Sequence, residues 1–373
     1  MRSVPDVNLW QWQYTIHGAQ NVAGLEKTRV EISGVEGWQT DRHGDAFAAF
    51  RKSCEKLDRL SDGNPRIQAL CDEARTLGAK VTNEDAKRFF EANFSFYHVH
   101  RPETGAIVTG YFEPEVAGSL VPDNVFNVPV YALPSDLVLS SPEMNLDGLP
   151  AGLTAVRRTA DGFCPYYTRR DIEEGALAGR RLEIAYLADA IDAFVMQVQG
   201  SGLIRLPDRS SLRVGFTGKN GHPYTSIAKV LIERGELQPS NASLDVLLSW
   251  LRADPERGRR LMWENKSYPF FRILDDAEAQ AGPHGAMGVP LTPGRSLAVD
   301  PHFHQLGLPI WVAAHDLKDE EGHPFRRLMI AQDTGSAIRG PVRGDIFCGN
   351  GAEAGRIAGK TKHLCDFYIL IPN

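Results

Sequence analysis

The 373-residue sequence contains no run of about 18 apolar residues, the length a helix needs to cross a bilayer, so no stretch of it reads as a membrane span. It also lacks a concentrated basic segment: 41 Lys and Arg stand against 47 Asp and Glu, for a formal net charge of −6 and an isoelectric point near 6.0. That balance excludes a general nucleic-acid binder, because neutralising phosphates takes a dense basic surface. Five cysteines are present without a CxxC pair or a tight Cys/His cluster, so no metal site is indicated and no cofactor is expected. Ser201-Gly202 and Gly349-Asn350-Gly351 are too short and wrongly placed to cradle a phosphate. Met1 to Asn21 holds Asp6, Gln11, Gln13, His17 and Gln20 and lacks the apolar segment of about 7 to 15 residues that marks an export signal; none is visible there.

What is present describes a globular protein of more than one core. An apolar content of 42% and a charged content of 24% are ordinary, and the length exceeds what one core usually fills, which predicts two domains. Residues 44 to 95 read as a helical lead-in, with a periodic apolar face beginning at Asp45-Ala46-Phe47 and Asn83 as an N-cap for the run through Phe90. From Ala106 the pattern turns to short strands among many Pro and Gly breaks, apart from a helix at Ser226 to Arg234 stopped by Gly235. Residues 285 to 372 are again short strands between Gly/Pro turns, as expected for a small barrel.

Chemistry concentrates near the C-terminus. Leu328-Met329-Ile330-Ala331 delivers Asp333 into a Thr-Gly-Ser turn, and Asp345 precedes a strand-like run at Ile346-Phe347, so both carboxylates are expected at strand-loop junctions. Two readings stand at this point: an acid/base pair aimed by a rigid scaffold, or turn aspartates bonded to nearby backbone N–H groups. Asp300-Pro301 fits a plain turn, and His302 and His304, alternating on one face of a short strand, read as surface or packing residues. Gln197, Gln199 and Ser201 read as alternating along a strand and facing one side, either toward a sugar or toward solvent. Cys54 and Cys71 flank a hairpin loop, and Cys348 and Cys365 sit in consecutive strand-like segments; either pair can be bridged or reduced, with Cys164 left over.

Longer blocks carry a resemblance. Thr109-Gly110-Tyr111-Phe112-Glu113-Pro114, Phe194-Val195-Met196-Gln197-Val198-Gln199-Gly200-Ser201-Gly202, Lys219-Asn220-Gly221-His222-Pro223-Tyr224 and Asn265-Lys266-Ser267-Tyr268-Pro269-Phe270-Phe271 occur in order. With Asp300, Asp333 and Asp345, which resemble a module of three aspartates, they make the chain similar to the membrane-bound lytic murein transglycosylase A (MltA) family over about residues 105 to 372. The resemblance implies a mainly β protein: a double-psi β-barrel domain, a second β-rich domain inserted into it, a groove between them, and an N-terminal helical region. By analogy residues 1–112 carry the lead-in and first part of the barrel, 113–272 the insertion, and 273–373 the rest of the barrel.

The implied activity is that of a carbon–oxygen lyase on peptidoglycan glycan strands, cutting between N-acetylmuramic acid and N-acetylglucosamine and leaving 1,6-anhydromuramic acid ends. Asp345 then matches the catalytic acid/base and Asp333 supplies a second charge or positions substrate. Thr109, Gly110, Tyr111, Gln197, Gln199, Ser201 and Tyr224 are the candidate groove residues, with core packing as the competing explanation for the tyrosines. The implied location is periplasmic or outer-membrane associated. Ser336 after Gly335 and Cys348 after Phe347 depart from the family's usual residues without removing one the chemistry requires. A non-lytic glycan-binding protein of the expansin-like kind, and a hydrolytic glycosidase that uses water, remain the alternatives.

Overall fold

The computed structural model describes residues 26–373 apart from 61–63, 79, 102–104, 142–143, 145 and 320–321. The segment read above for an export signal, and the tip of the loop between Cys54 and Cys71, lie outside the described residues.

Seventeen strands are described: β1 Glu26–Val30, β2 Phe94–His100, β3 Ala106–Glu113, β4 Glu115–Ser119, β5 Val128–Tyr131, β6 Leu137–Leu139, β7 Ala155–Thr159, β8 Gly162–Pro165 and β9 Glu183–Leu187 in the first half of the chain. They are followed by β10 Ser201–Arg205, β11 Ser211–Lys219, β12 Pro269–Ile273, β13 Ser296–Val299, β14 Pro309–Lys318, β15 Pro324–Asp333, β16 Arg343–Asn350 and β17 Lys362–Pro372. Eight of them form a mixed sheet in the order β1-β2-β17-β14-β15-β13-β16-β3, in which β17 also pairs with β3. Six form a second sheet, β12-β11-β10-β4-β9-β5, and three a small one, β6-β7-β8. The chain leaves the first sheet at Glu113 and enters the second at Glu115, so Pro114 alone separates them; Pro at the junction restricts the entering residue to extended backbone.

Three helices lie between β1 and β2 of the large sheet: α1 His43–Leu60, α2 Pro65–Leu77 and α3 Asn83–Asn93. Asn64 caps α2 by accepting from Arg66 N at 3.0 Å, with Pro65 at the first helical position, where its missing N–H costs nothing. The cap of α3 is Thr82, not Asn83; the Asn83 side chain instead accepts from Gly44 N at 3.0 Å and so serves the first turn of α1. Cys54 on α1 and Cys71 on α2 are bridged, with Cα atoms 5.3 Å apart. The helices bury Phe47, Phe50, Phe89 and Phe90 in one cluster with Trp38 and with Phe96 and Trp311 of the large sheet, and a second cluster of Val99, Val108, Leu297, Val312, Met329 and Phe367 fills its other face.

Helix and strand are present in nearly equal measure, so the fold is mixed rather than mainly β. Helices at Ala190–Gln199, Leu244–Ala253, Pro255–Glu264 and Gly351–Lys360 account for the difference. The first is apolar on several sides, a pattern that periodicity alone cannot separate from a buried strand, and the last is built from small residues that leave little periodic signal. Cys348 and Cys365 are not bridged, and Cys164 is also a free thiol. His302 and His304 lie in a turn rather than a strand: His302 is exposed, whereas His304 is buried with Nε2 at 2.8 Å from the Pro341 carbonyl.

Candidate active site

Asp345 is held by three strands at once. It is the third residue of β16, opposite Ala298 of the antiparallel β13 on one side and Thr109 of the parallel β3 on the other. It therefore lies inside a strand and not at a junction, because the ladder begins two residues earlier, at Arg343. Asp333 does end β15, and Thr334 and Gly335 lead from it into the turn at Ser336 and Ala337.

The two carboxylates are partly exposed at the surface and otherwise enclosed by protein. Asp345 Oδ1 accepts from Thr109 Oγ1, and Thr109 Oγ1 in turn accepts from Arg343 Nη2 at 2.7 Å. Burial pushes the Asp345 carboxyl up to about 6; the Thr109 hydrogen bond and the Arg343 charge oppose the rise, and the Asp333 charge adds to it. Asp333 accepts from Ala286 N and Thr334 N at 2.8 Å each through Oδ1, and from the Tyr111 hydroxyl at 2.8 Å through Oδ2. Burial raises its pKa as well, against the pull of those three donors. Tyr111 is buried beside Phe347, at 5.4 Å between ring centroids, and burial together with the Asp333 charge holds its phenol protonated well past its ordinary range. Burial and the Asp345 charge push the Cys348 thiol up to about 12, which leaves it a poor nucleophile at neutral pH. Among the described residues, no group of three or more His, Cys, Asp or Glu is placed to hold a metal ion.

Residues 107–272 match the MltA specific insert domain, and residues 295–371 match the 3D domain. The chain is 35% identical over 272 residues to the membrane-bound lytic murein transglycosylase A of Vibrio cholerae, an alignment that takes in 69% of this chain and 63% of that protein. The crystal structure of a membrane-bound lytic murein transglycosylase from Agrobacterium tumefaciens superposes with a TM-score of 0.85 at 35% identity, covering 93% of this chain and 98% of that one. The chain belongs to the membrane-bound lytic murein transglycosylase A family. A further family structure, Escherichia coli MltA with bound chitohexaose, has a TM-score of 0.64 at 26% identity over 87% of this chain and 90% of its own. The chain spans a little under two thirds of the length of the Vibrio relative.

The other candidate residues of this family member do not all gather at the carboxylates. Thr109 and Tyr111 are two apart on β3 and share a face, which brings one to Asp345 and the other to Asp333. Gly110 points the opposite way: a Cβ there would lie 2.9 Å from both Ala358 Cα and Cys348 Sγ, so the position admits the close packing of helix Gly351–Lys360. Gln197 and Gln199 are not on a strand. Both lie on helix Ala190–Gln199, capped by Asp189 and ended by Gly200 in the left-handed region, and a two-residue step on a helix turns them to different sides. Gln197 is buried and accepts from Arg169, whereas Gln199 Oε1 accepts from Phe112 N at 3.0 Å and ties that helix to β3. Ser201 is buried where β10 begins. Tyr224 and Gln199 share a recess of about 140 Å³ with Phe194 and Leu248.

Asp300 is buried, with its carboxylate accepting from His302 N at 3.2 Å and Gly340 N at 2.8 Å, a turn-closing arrangement. Two site residues escaped sequence reasoning. Arg343 is two positions from Asp345 on one strand, a spacing that by itself puts both side chains on one face. Lys219, at the end of β11, donates to Ser336 Oγ at 3.0 Å and links the second sheet to the turn that follows Asp333; its neighbour Asn220 is committed to the Tyr167 and Lys266 carbonyls.

Proposed function

We propose that this protein is a lytic transglycosylase that cuts the β-1,4 bond between N-acetylmuramic acid and N-acetylglucosamine in peptidoglycan, with Asp345 acting first as acid and then as base. The observation that carries the reading is the Asp345 carboxyl, lifted to about 6 by burial yet still reached from solvent. A carboxyl in that range keeps a usable protonated fraction near neutral pH and becomes a competent base once ionised. Asp345 gives its proton to the glycosidic oxygen as the bond from C1 to that oxygen breaks, and positive charge spreads over C1 and the ring oxygen. The C6 hydroxyl of the muramic residue attacks C1, and its proton returns to Asp345. Water is not consumed. Because the nucleophile is tethered to the sugar, effective molarities on the order of 10⁵ M replace much of what a second catalytic carboxylate supplies in a hydrolase.

Asp333, with three donors around it and no acceptor, suits the ionised form and stabilises the charge on the sugar. The Lys219–Ser336 contact marks where the two sheets approach over a groove, and Tyr224 with Gln199 is assigned to glycan binding on the inserted side. The chitohexaose complex of the Escherichia coli relative supports a glycan in that groove. Residues 113–272 are read as the inserted domain between 1–112 and 273–373. The pairing of β17 with both β14 and β3 supports closure of β3, β17, β14, β15, β13 and β16 into a double-psi barrel. A periplasmic, outer-membrane associated location accords with the relatives' naming and with the Cys54–Cys71 bridge, which persists in an oxidising compartment.

Mass spectrometry of purified peptidoglycan digested by the protein and by Asp345→Asn tests the reading. Products ending in 1,6-anhydromuramic acid that vanish in the variant are expected. Reducing-end products would mean hydrolysis, and binding without any product would mean a glycan-binding protein.

A further inference from the structure

We infer that Thr109 and Arg343 form a positioning pair that places the acid proton of Asp345 on Oδ2, the oxygen that Thr109 does not touch. The inference rests on the reading of Asp345 as the acid.

The chain of donors favours one arrangement. A guanidinium has only N–H donors and no acceptor, so the 2.7 Å contact from Arg343 Nη2 makes Thr109 Oγ1 an acceptor there. Arg343 is itself pinned, because Nη1 donates to the carbonyls of Gly344 and, at 3.4 Å, Ile107. With that lone pair taken, the single hydroxyl proton of Thr109 is free to point to its other partner, Asp345 Oδ1. Oδ1 therefore accepts in both ionisation states. When Asp345 is protonated, its proton resides on Oδ2; were Thr109 oriented the other way, that proton would be spent on the hydroxyl and withheld from the substrate.

The same geometry covers both halves of the reaction. Oδ2 delivers its proton to the leaving oxygen, and the carboxylate that results keeps the Thr109 hydrogen bond on Oδ1. Oδ2 is then left free to take the proton of the attacking C6 hydroxyl, so one oxygen gives and receives without a rotation of the carboxyl group. The parallel register that sets Arg343 against Ile107 and Asp345 against Thr109 builds the relay into the ladder between β16 and β3. Neither Thr109 nor Arg343 needs to contact sugar.

Thr109→Val, Thr109→Ser and Arg343→Met test the pair. For Thr109→Val we expect kcat for anhydro-product formation to fall about 10- to 100-fold with KM nearly unchanged. Its alkaline limb should move to higher pH, because the ionised carboxylate loses a donor. Thr109→Ser should restore both values, and Arg343→Met should move them in the direction of Thr109→Val. A ¹³C carboxyl titration of Asp345 reads the same upward shift without turnover and accompanies a thermal melt of each variant. A raised KM with kcat and the alkaline limb unchanged would overturn the relay and make Thr109 a substrate contact. Full activity in Asp345→Asn would instead remove the acid assignment itself; an inactive Asp345→Asn beside a wild-type-like Thr109→Val would remove only the relay.

Discussion

The Tyr111 hydroxyl donates to Asp333 Oδ2 at 2.8 Å across 222 positions of sequence. It is one of three donors that hold this carboxylate against the cost of burial. In Tyr111→Phe the Asp333 pKa rises further, since a hydrogen bond to its ionised form is gone. A larger neutral fraction at Asp333 repels the Asp345 anion less, so the Asp345 pKa falls and the acid is lost earlier as pH increases. The alkaline limb of the rate profile should therefore move down by about half a pH unit, opposite in sign to Thr109→Val. Rates of anhydro-product release measured between pH 5 and 8 check it.

Asp345→Asn should trade activity for stability. The Asp345 carboxyl is raised from 3.8 to about 6 in the folded protein, so the folded state binds a proton more tightly than the unfolded chain does. Its contribution is thus most favourable below the unfolded pKa and is lost as pH rises through the window from 3.8 to about 6. An amide carries no such loss. At pH 7 the variant should be more stable than the parent by about 1 to 2 kcal/mol, read as a higher denaturation midpoint, and indistinguishable from it near pH 4.

Arg295 and Asp41 form a buried two-pronged ion pair, at 2.8 and 2.9 Å, with the two side chains 4% and 3% exposed. Asp41 also accepts from Leu328 N at 2.9 Å, and Arg295 donates to the Leu328 carbonyl at 3.0 Å, so the pair fastens the segment before α1 to β15. Asp41→Ala strands a buried guanidinium and should cost about 3 to 5 kcal/mol in chemical denaturation.

The Cys54–Cys71 bridge closes a loop between positions 17 apart and joins α1 to α2. By the loop-closure argument Cys54→Ser, or reduction, should destabilise by about 3 kcal/mol and lower the melting temperature. Since α1 and α2 supply none of the groups that hydrogen-bond to Asp345 or Asp333, the activity of the molecules that stay folded should be unchanged.

His304 is buried neutral, with Nε2–H donating to the Pro341 carbonyl, and burial brings its pKa down to about 4. The unfolded chain binds the proton first, so the stabilisation is present above the ordinary value of 6.5 and is lost as pH falls from there toward about 4. His304→Gln keeps a donor and removes the titration. Its stability should fall less steeply than the parent's over that window in equilibrium unfolding at stepped pH.

Much of the site was legible where its signal is local. Asp333 at the end of an apolar run, Asp345 beside Ile346-Phe347, the helix between Ser226 and Gly235 and the Cys54/Cys71 hairpin all rest on patterns a few residues long. Gln197 and Gln199 were misread as strand residues because the run from Ile191 to Val198 is apolar enough to be buried in either form. The cap at Asp189 and the stop at Gly200 were the signals that distinguish the two. The close packing at Gly110 was not legible, because a glycine beside site residues gives no sign of which face another backbone will approach.

The two carboxylates, the blocks whose order places the chain in its family, and the local starts and stops of several elements are written in short stretches of the chain, each set by neighbours within a turn or a strand. Which donors meet those carboxylates was decided only in the tertiary structure. Thr109 reaches Asp345 across 236 positions because β3 and β16 pair in parallel, and Arg343 completes the contact from the same ladder. Parallel pairing needs a long crossover, and its register follows from how the whole sheet packs, so no local pattern encodes it. The raised pKa of Asp345 has the same origin: a carboxyl loses its water only when distant strands close around it.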